Sequence, residues 1–125
     1  MRLLLDTHIF YWSFYDPDRL SKRTIATING AKAVYVSSAS IWEMAIKVRL
    51  GKMEGDPSEL AENIAAAGFQ ELPVFSKHAL LVATLPLHHT DPFDRLLIAQ
   101  AMNEPLHLLT ADSQLKTYSE LVVCV

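Results

Sequence analysis

Four acidic residues sit where a parallel sheet would gather its chemistry. Asp6 ends a short apolar run, Glu43 lies in the first turns of a helical stretch, Asp94 opens another, and Asp112 follows Leu109-Thr110-Ala111. In open parallel sheets the ligand crevice forms beyond the carboxyl ends of the strands, so acids far apart in sequence converge at one edge. Carboxylates brought together with little positive charge nearby repel unless a cation sits among them. An all-oxygen donor set selects a hard divalent ion, and an open octahedral site that keeps several waters suits Mg2+ or Mn2+. Two carboxylates on the ion and a further one to orient or deprotonate a water would support hydrolysis of a phosphodiester.

Each acid also has an ordinary reading as a helix cap. Ser40-x-x-Glu43 has the form of a capping box, and Asp91-Pro92-x-Asp94 that of an N-cap followed by proline at the first helical position and an acid at the third. Asp6 or Thr7 would cap a first helix, and Asp112 a short helix running through Leu115. Acids at helix starts are common for dipole reasons, so it is the joint arrangement that points to a metal. His88-His89 beside Asp91 suggests zinc or iron, but no His-x-x-x-His helix accompanies the pair and the lone Cys124 is distant. Lys47, Arg49, Lys52, Arg95, His88 and His89 are candidate contacts to the phosphates of an RNA strand, and scattered bases of this kind equally describe a solvated face.

The elements that must position these residues alternate. Arg2 to Leu5, Val34 to Val36, Leu72 to Val74, His107 to Leu109 and Leu121 to Val125 are short apolar runs that read as strands. Between them lie helical stripes, one of Ile41, Trp42, Ala45, Ile46 and Val48 and another of Phe93, Leu96, Leu97 and Ala101. Strands apolar throughout, alternating with helices, predict an α/β fold with a mostly parallel sheet covered on both faces. With 125 residues, 50% hydrophobic and 20% charged, and no polar linker, the chain is expected to form one domain over residues 1–125. Eleven Lys+Arg against 14 Asp+Glu give a net charge of -3, so any nucleic acid must be held by local features. A single cysteine fits a reducing compartment, and the early charge at Asp6 with no apolar run of membrane length makes a cytoplasmic protein the expectation. The run Ile9 to Tyr15 is apolar almost all round a helix, which predicts either a helix sandwiched in the core or a face that meets another chain.

Four segments in this order resemble the PIN-domain ribonucleases, specifically VapC-type toxins of type II toxin-antitoxin pairs. They are Leu3-Leu4-Leu5-Asp6-Thr7-His8, Val36-Ser37-Ser38-Ala39-Ser40-Ile41-Trp42-Glu43, Asp91 to Ala101, and Leu109-Thr110-Ala111-Asp112. The resemblance runs nearly end to end. It implies a five-stranded parallel sheet in the order 3-2-1-4-5 and a metal-dependent endoribonuclease, and it carries the family's acidic positions onto Asp6, Glu43, Asp94 and Asp112. Of these, Asp6, Asp94 and Asp112 would hold the metal. The family's hydroxyl residue falls on Thr110, in reach of Asp6 or Asp112, and Asp91 is left as a cap. Homodimerisation, and inhibition by a cognate antitoxin that covers the pocket, are implied in the same way. A response-regulator receiver is a competing class, but it needs an Asp after the third strand and a Lys after the fifth, and this chain has neither. A haloacid-dehalogenase-type phosphatase would need an Asp where His8 stands, and an RNA-binding PIN fold without catalysis sits poorly with an intact set of acids.

Overall fold

The computed structural model describes all 125 residues. Strands β1 (Arg2–Leu5), β2 (Ala33–Ser37), β3 (Gln70–Leu72), β4 (His107–Thr110) and β5 (Val122–Cys124) form one sheet in the order β3-β2-β1-β4-β5, with every pairing parallel. Helices α1 (Thr7–Tyr15), α2 (Lys22–Asn29), α3 (Ser38–Arg49), α4 (Pro57–Ala66), α5 (Ser76–Val82) and α6 (Pro92–Asn103) connect the strands. No helix is long and apolar enough to cross a membrane.

β1 lies at the centre of the sheet because Leu3, Leu4 and Leu5 all bury completely, one face feeding each of two cores. Leu3 and Leu5 join Ile9, Phe10, Val36, Met44, Leu60 and Ile64 on the side of α1, α3 and α4. Leu4 joins Leu97, Ile98, Leu106, Leu108 and Leu115 on the side of α6. Such two-sided burial is what a strand without alternation predicts.

The third strand covers residues 70–72, not 72–74. It is an edge strand paired only with β2, and Gln70 and Glu71 are exposed, so it shows no apolar run to read. Pro73, without an N–H to donate, lies just beyond its end.

The expected stripe on α3 is also corrected. Ala39, Ser40, Glu43 and Met44 are its buried residues, while Trp42 is 62% exposed and Ile46 faces outward. Nor is Ser40 the cap, because α3 starts earlier and Ser37 caps it by accepting the Ala39 N–H at 3.0 Å. Ser40 is thereby carried into the helix interior, on the same face as Glu43.

On α1, Ile9 and Phe10 are buried. Tyr11, Trp12, Phe14 and Tyr15 are half-buried against the same core cluster. Much of the ring run is thus absorbed within the chain.

Candidate metal centre

The site is assembled at the carboxyl ends of β1 and β4, where the two strands end side by side. The Asp6 N–H continues the ladder to the Leu109 carbonyl at 2.9 Å, placing the Asp6 side chain at the sheet edge. There Oδ1 accepts the Thr7 N–H at 2.7 Å as the cap of α1, and Oδ2 accepts the Thr110 hydroxyl at 2.6 Å. The Thr110 hydroxyl also accepts the Asp112 N–H at 3.0 Å, so one threonine fixes Asp6 and the turn that presents Asp112. Asp112 in turn caps the short 3-10 helix Ser113–Thr117 through the Gln114 N–H.

α3 brings the third acid. The Thr7 hydroxyl donates to the Ser40 hydroxyl at 2.9 Å, which ties the start of α1 to the face of α3 that carries Glu43. Glu43 is buried, and its Oε2 pairs with Lys47 one turn on at 2.8 Å. Its Oε1 is buried with no partner at all. A buried carboxylate oxygen left unpaired is costly, so this atom marks a place where a ligand, ion or water belongs.

α6 brings the fourth. Asp91 caps it by accepting the Phe93 and Asp94 N–H groups at 2.8 and 3.0 Å, as expected of a cap. Asp94 projects from the first turn, and its Oδ2 meets His89 Nε2 at 2.9 Å. Ligand atoms of His89, Asp94 and Asp112 all lie within 4.8 Å of one another. Carboxylates ~5 Å apart repel by roughly 3 kcal/mol at an effective dielectric constant of ~20. Burial, then the neighbouring Asp6 and Asp91 charges, push the Asp94 carboxyl up to about 7. Burial likewise raises Asp6, against the pull of its Thr110 hydrogen bond. Asp6 and Asp112 line a shallow cleft of about 440 Å3 with His8, Trp12 and Ala111.

The candidate phosphate contacts fare unevenly. Arg95 is a correction: its guanidinium is buried and donates to the carbonyls of Val82, Leu85 and Pro86 and to the Tyr118 hydroxyl. It clamps the loop between α5 and α6 and is withdrawn from any RNA. Lys47 is engaged by Glu43 and His89 by Asp94, whereas His88 is exposed with its ring edge on Tyr118.

Ser40 escapes a reading by motif because it looks like a cap, whereas His89, a candidate metal ligand or phosphate contact in the sequence, is folded onto Asp94. The signal for Ser40 was its spacing of three from Glu43, which places both on one helical face.

A family profile described as PIN domain matches residues 3–121. The chain is 30% identical over 122 residues to Ribonuclease VapC22 of Mycobacterium tuberculosis (strain ATCC 25618 / H37Rv), covering 93% of this chain and 91% of the relative. Its fold is similar to VapBC2 from Rickettsia felis bound to a DNA fragment from their promoter, with a TM-score of 0.71, 15% identity, and 100% and 98% of the two chains covered. It is similar also to a toxin-antitoxin complex from Klebsiella pneumoniae, with a TM-score of 0.67, 17% identity, and 97% and 95% covered. For FitAcB from Neisseria gonorrhoeae the TM-score is 0.63 at 19% identity, with 90% and 89% covered. At these identities the structural likeness is one of fold.

Proposed function

This chain belongs to the PIN-domain family, and on that premise we propose that it is a divalent-metal-dependent endoribonuclease acting as the toxin of a toxin-antitoxin pair. The observation that carries the reading is the buried, unpartnered Glu43 Oε1, set on the face of α3 that Ser40 ties to the start of α1. An orphaned oxygen in an acidic cluster fits a cation with its water shell, and a set made mainly of carboxylates, with the His89 imidazole beside Asp94, fits Mg2+ or Mn2+. In this reading Asp6, Asp94 and Asp112 hold the ion. When bound it supplies stabilisation of charge growing on a phosphoryl oxygen.

The remaining work falls to the protein's own groups. Lys47 holds Glu43 Oε2, which leaves Oε1 to orient a water and take its proton as the water oxygen attacks phosphorus. The bond from phosphorus to the departing ribose oxygen breaks, and that oxygen takes a proton from solvent. Thr110 keeps Asp6 in place, and His89 holds one oxygen of Asp94.

We further propose a cognate antitoxin protein that covers this pocket, since one similar fold, that from Klebsiella pneumoniae, is a toxin-antitoxin complex. An arginine placed among the carboxylates would be a suitable plug. Self-association into a homodimer is proposed with it. Purified protein incubated with mixed cellular RNA tests the nuclease reading. Cleavage in Mg2+ that stops in EDTA and in Asp94→Asn is expected, and cleavage by Asp94→Asn at the wild-type rate would overturn it.

A further inference from the structure

We propose that the cleft beside the acidic site, lined by His8, Tyr11, Tyr15, Arg19 and Lys52, binds one nucleotide of a single-stranded RNA next to the scissile phosphate and so selects where the strand is cut. The inference rests on the nuclease reading above and adds the substrate's second point of attachment.

The cleft measures about 640 Å3, within the range of roughly 300–1,000 Å3 that small-molecule sites occupy. It adjoins the acidic cleft, because His8 lines both. Trp12, another wall of the acidic cleft, carries the Arg19 guanidinium over its ring at 4.6 Å from the centroid. His8 and Trp12 therefore form a ridge, with carboxylates on one side and Arg19 on the other.

The chemistry of the lining suits a nucleotide better than a bare anion. Arg19 and Lys52 are exposed, and neither pairs with an acid. Lys47, by contrast, is spent on Glu43 and Arg95 on the loop carbonyls. Two tyrosine rings, Tyr11 and Tyr15, lie 5.1 Å apart in the same wall, with Tyr15 already stacked on Phe14. Asp16 and Glu54 also line the cleft, which balances the two cations and supplies acceptors for the amino groups of a base. Aromatic faces with an arginine plane and a nearby lysine are the equipment by which single-stranded RNA is held, the base by stacking and the backbone by charge.

The wall is built rather than incidental. The Tyr11 hydroxyl donates to the Glu54 carbonyl at 2.7 Å, and the Tyr15 hydroxyl accepts the Asp56 N–H at 2.9 Å. Between them Gly55 has φ +126°, and a Cβ there would meet the Tyr15 ring at 2.7 Å. The segment between α3 and α4 is thus pinned against α1, which gives the cleft a fixed far side.

The test measures binding of labelled five-nucleotide RNAs (A5, C5 and U5) in EDTA by fluorescence anisotropy, and cleavage of longer RNA in Mg2+. The proteins are wild type, Arg19→Ala, Arg19→Lys, Lys52→Ala and, as a control, Arg23→Ala, an exposed cation of α2 that lines no cleft. The subsite predicts that wild type prefers one base, and that Arg19→Ala and Lys52→Ala each bind about tenfold more weakly, the scale of one lost stacking or phosphate contact. The Lys52→Ala salt dependence should be shallower by about one phosphate. Arg19→Lys should recover part of the loss, and Arg23→Ala should match wild type. In Mg2+, KM should rise and cut positions should shift in the two alanine variants while kcat is kept.

Wild type that binds none of the RNAs, or alanine variants that bind them equally well, would overturn the subsite. Wild type that cleaves while the alanine variants keep its KM and cut positions removes the subsite and leaves the nuclease standing. Binding that depends on Arg19 and Lys52 without any cleavage keeps the nucleotide contact but overturns both the nuclease reading and the subsite's role in choosing where the strand is cut.

Discussion

Helix α6 carries an acid at each end, Asp94 in its first turn and Glu104 at its C-cap. The helix dipole favours a negative charge at the first position and disfavours it at the second. Both acids ionise against that preference. Burial and the nearby Asp6 charge hold Asp94 up to about 7. Glu104 is held below the usual carboxylate range by its hydrogen bond from the fully buried His78, with Lys77 adding to it. The His78 ring is oriented by the Phe75 N–H, which donates to Nδ1 at 3.0 Å and so assigns Nε2 as the donor to Glu104. One end of the helix is a hydrogen-bonded network that locks α5 onto α6, with Gln100 Oε1 beside it buried and unpartnered. The other is a cluster of carboxylates near which Glu43 Oε1 has no partner, and it is this cluster that we propose holds a cation. Neighbours of each acid, rather than its position on the helix, distinguish a structural carboxylate from a site for a cation.

The most drastic way to break the contrast is Asp94→Asn. The amide keeps the shape of the carboxylate and removes a ligand charge, so RNA cleavage should fall by more than the roughly 10–100-fold that loss of an outer supporting residue costs. Steady-state cleavage rates check this. Next in size is the response to metal. At about 100 times its dissociation constant, a bound ion stabilises the folded state by roughly 2.7 kcal/mol. Wild type should therefore melt higher in Mg2+ than in EDTA, with a reduced shift in Asp6→Asn and Asp112→Asn.

At the other end, Glu104→Ala strands the buried His78 donor and should cost about 1–3 kcal/mol in a urea titration, with cleavage unchanged. A loss of cleavage without loss of stability would contradict the division between the two ends. The smallest effect is in pH dependence, measured in EDTA. Burial and the neighbouring acids push Asp94 from the usual carboxylate value of 3.8 up to about 7, so the folded state binds the extra proton. Its contribution is fully present below 3.8 and fades as pH rises through about 7. Glu104 acts oppositely: its contribution is present above 4.5 and is lost as pH falls through its lowered value. Asp94→Asn should flatten the upper window of the stability profile, and Glu104→Gln the lower.

Much of this organisation is written locally. β1, β2 and β4 show themselves as apolar runs because they are buried on both faces, and Asp6, Asp94 and Asp112 stand out because each follows a strand or opens a helix. The capping reading of Asp6 and Asp112 is visible in the structure, and it leaves each a second carboxylate oxygen. Asp6 caps α1 with one oxygen and takes the Thr110 hydroxyl on the other, and Asp112 likewise caps with one oxygen. What stayed hidden depends on contacts distant in sequence. Arg95 reads as a solvated base because nothing local tells that the loop at Val82 to Pro86 wraps its guanidinium. Gln70 and Glu71 carry no sign of a strand because an exposed edge needs no apolar residues. Trp42 reads as core, yet its ring lies outside against Phe93, because the buried face of α3 is spent on Ser40, Glu43 and Met44.

The claim that the N-terminal end of α6 is an incomplete cation site is tested most directly by titrating Mn2+ into wild type and Asp94→Asn and following free Mn2+ by electron paramagnetic resonance. Saturable binding by wild type, weakened at least about tenfold in Asp94→Asn and unchanged in Glu104→Gln, is the predicted result. Equal Mn2+ binding by wild type and Asp94→Asn would mean that these acids are caps sharing one edge of a sheet, and would contradict the account.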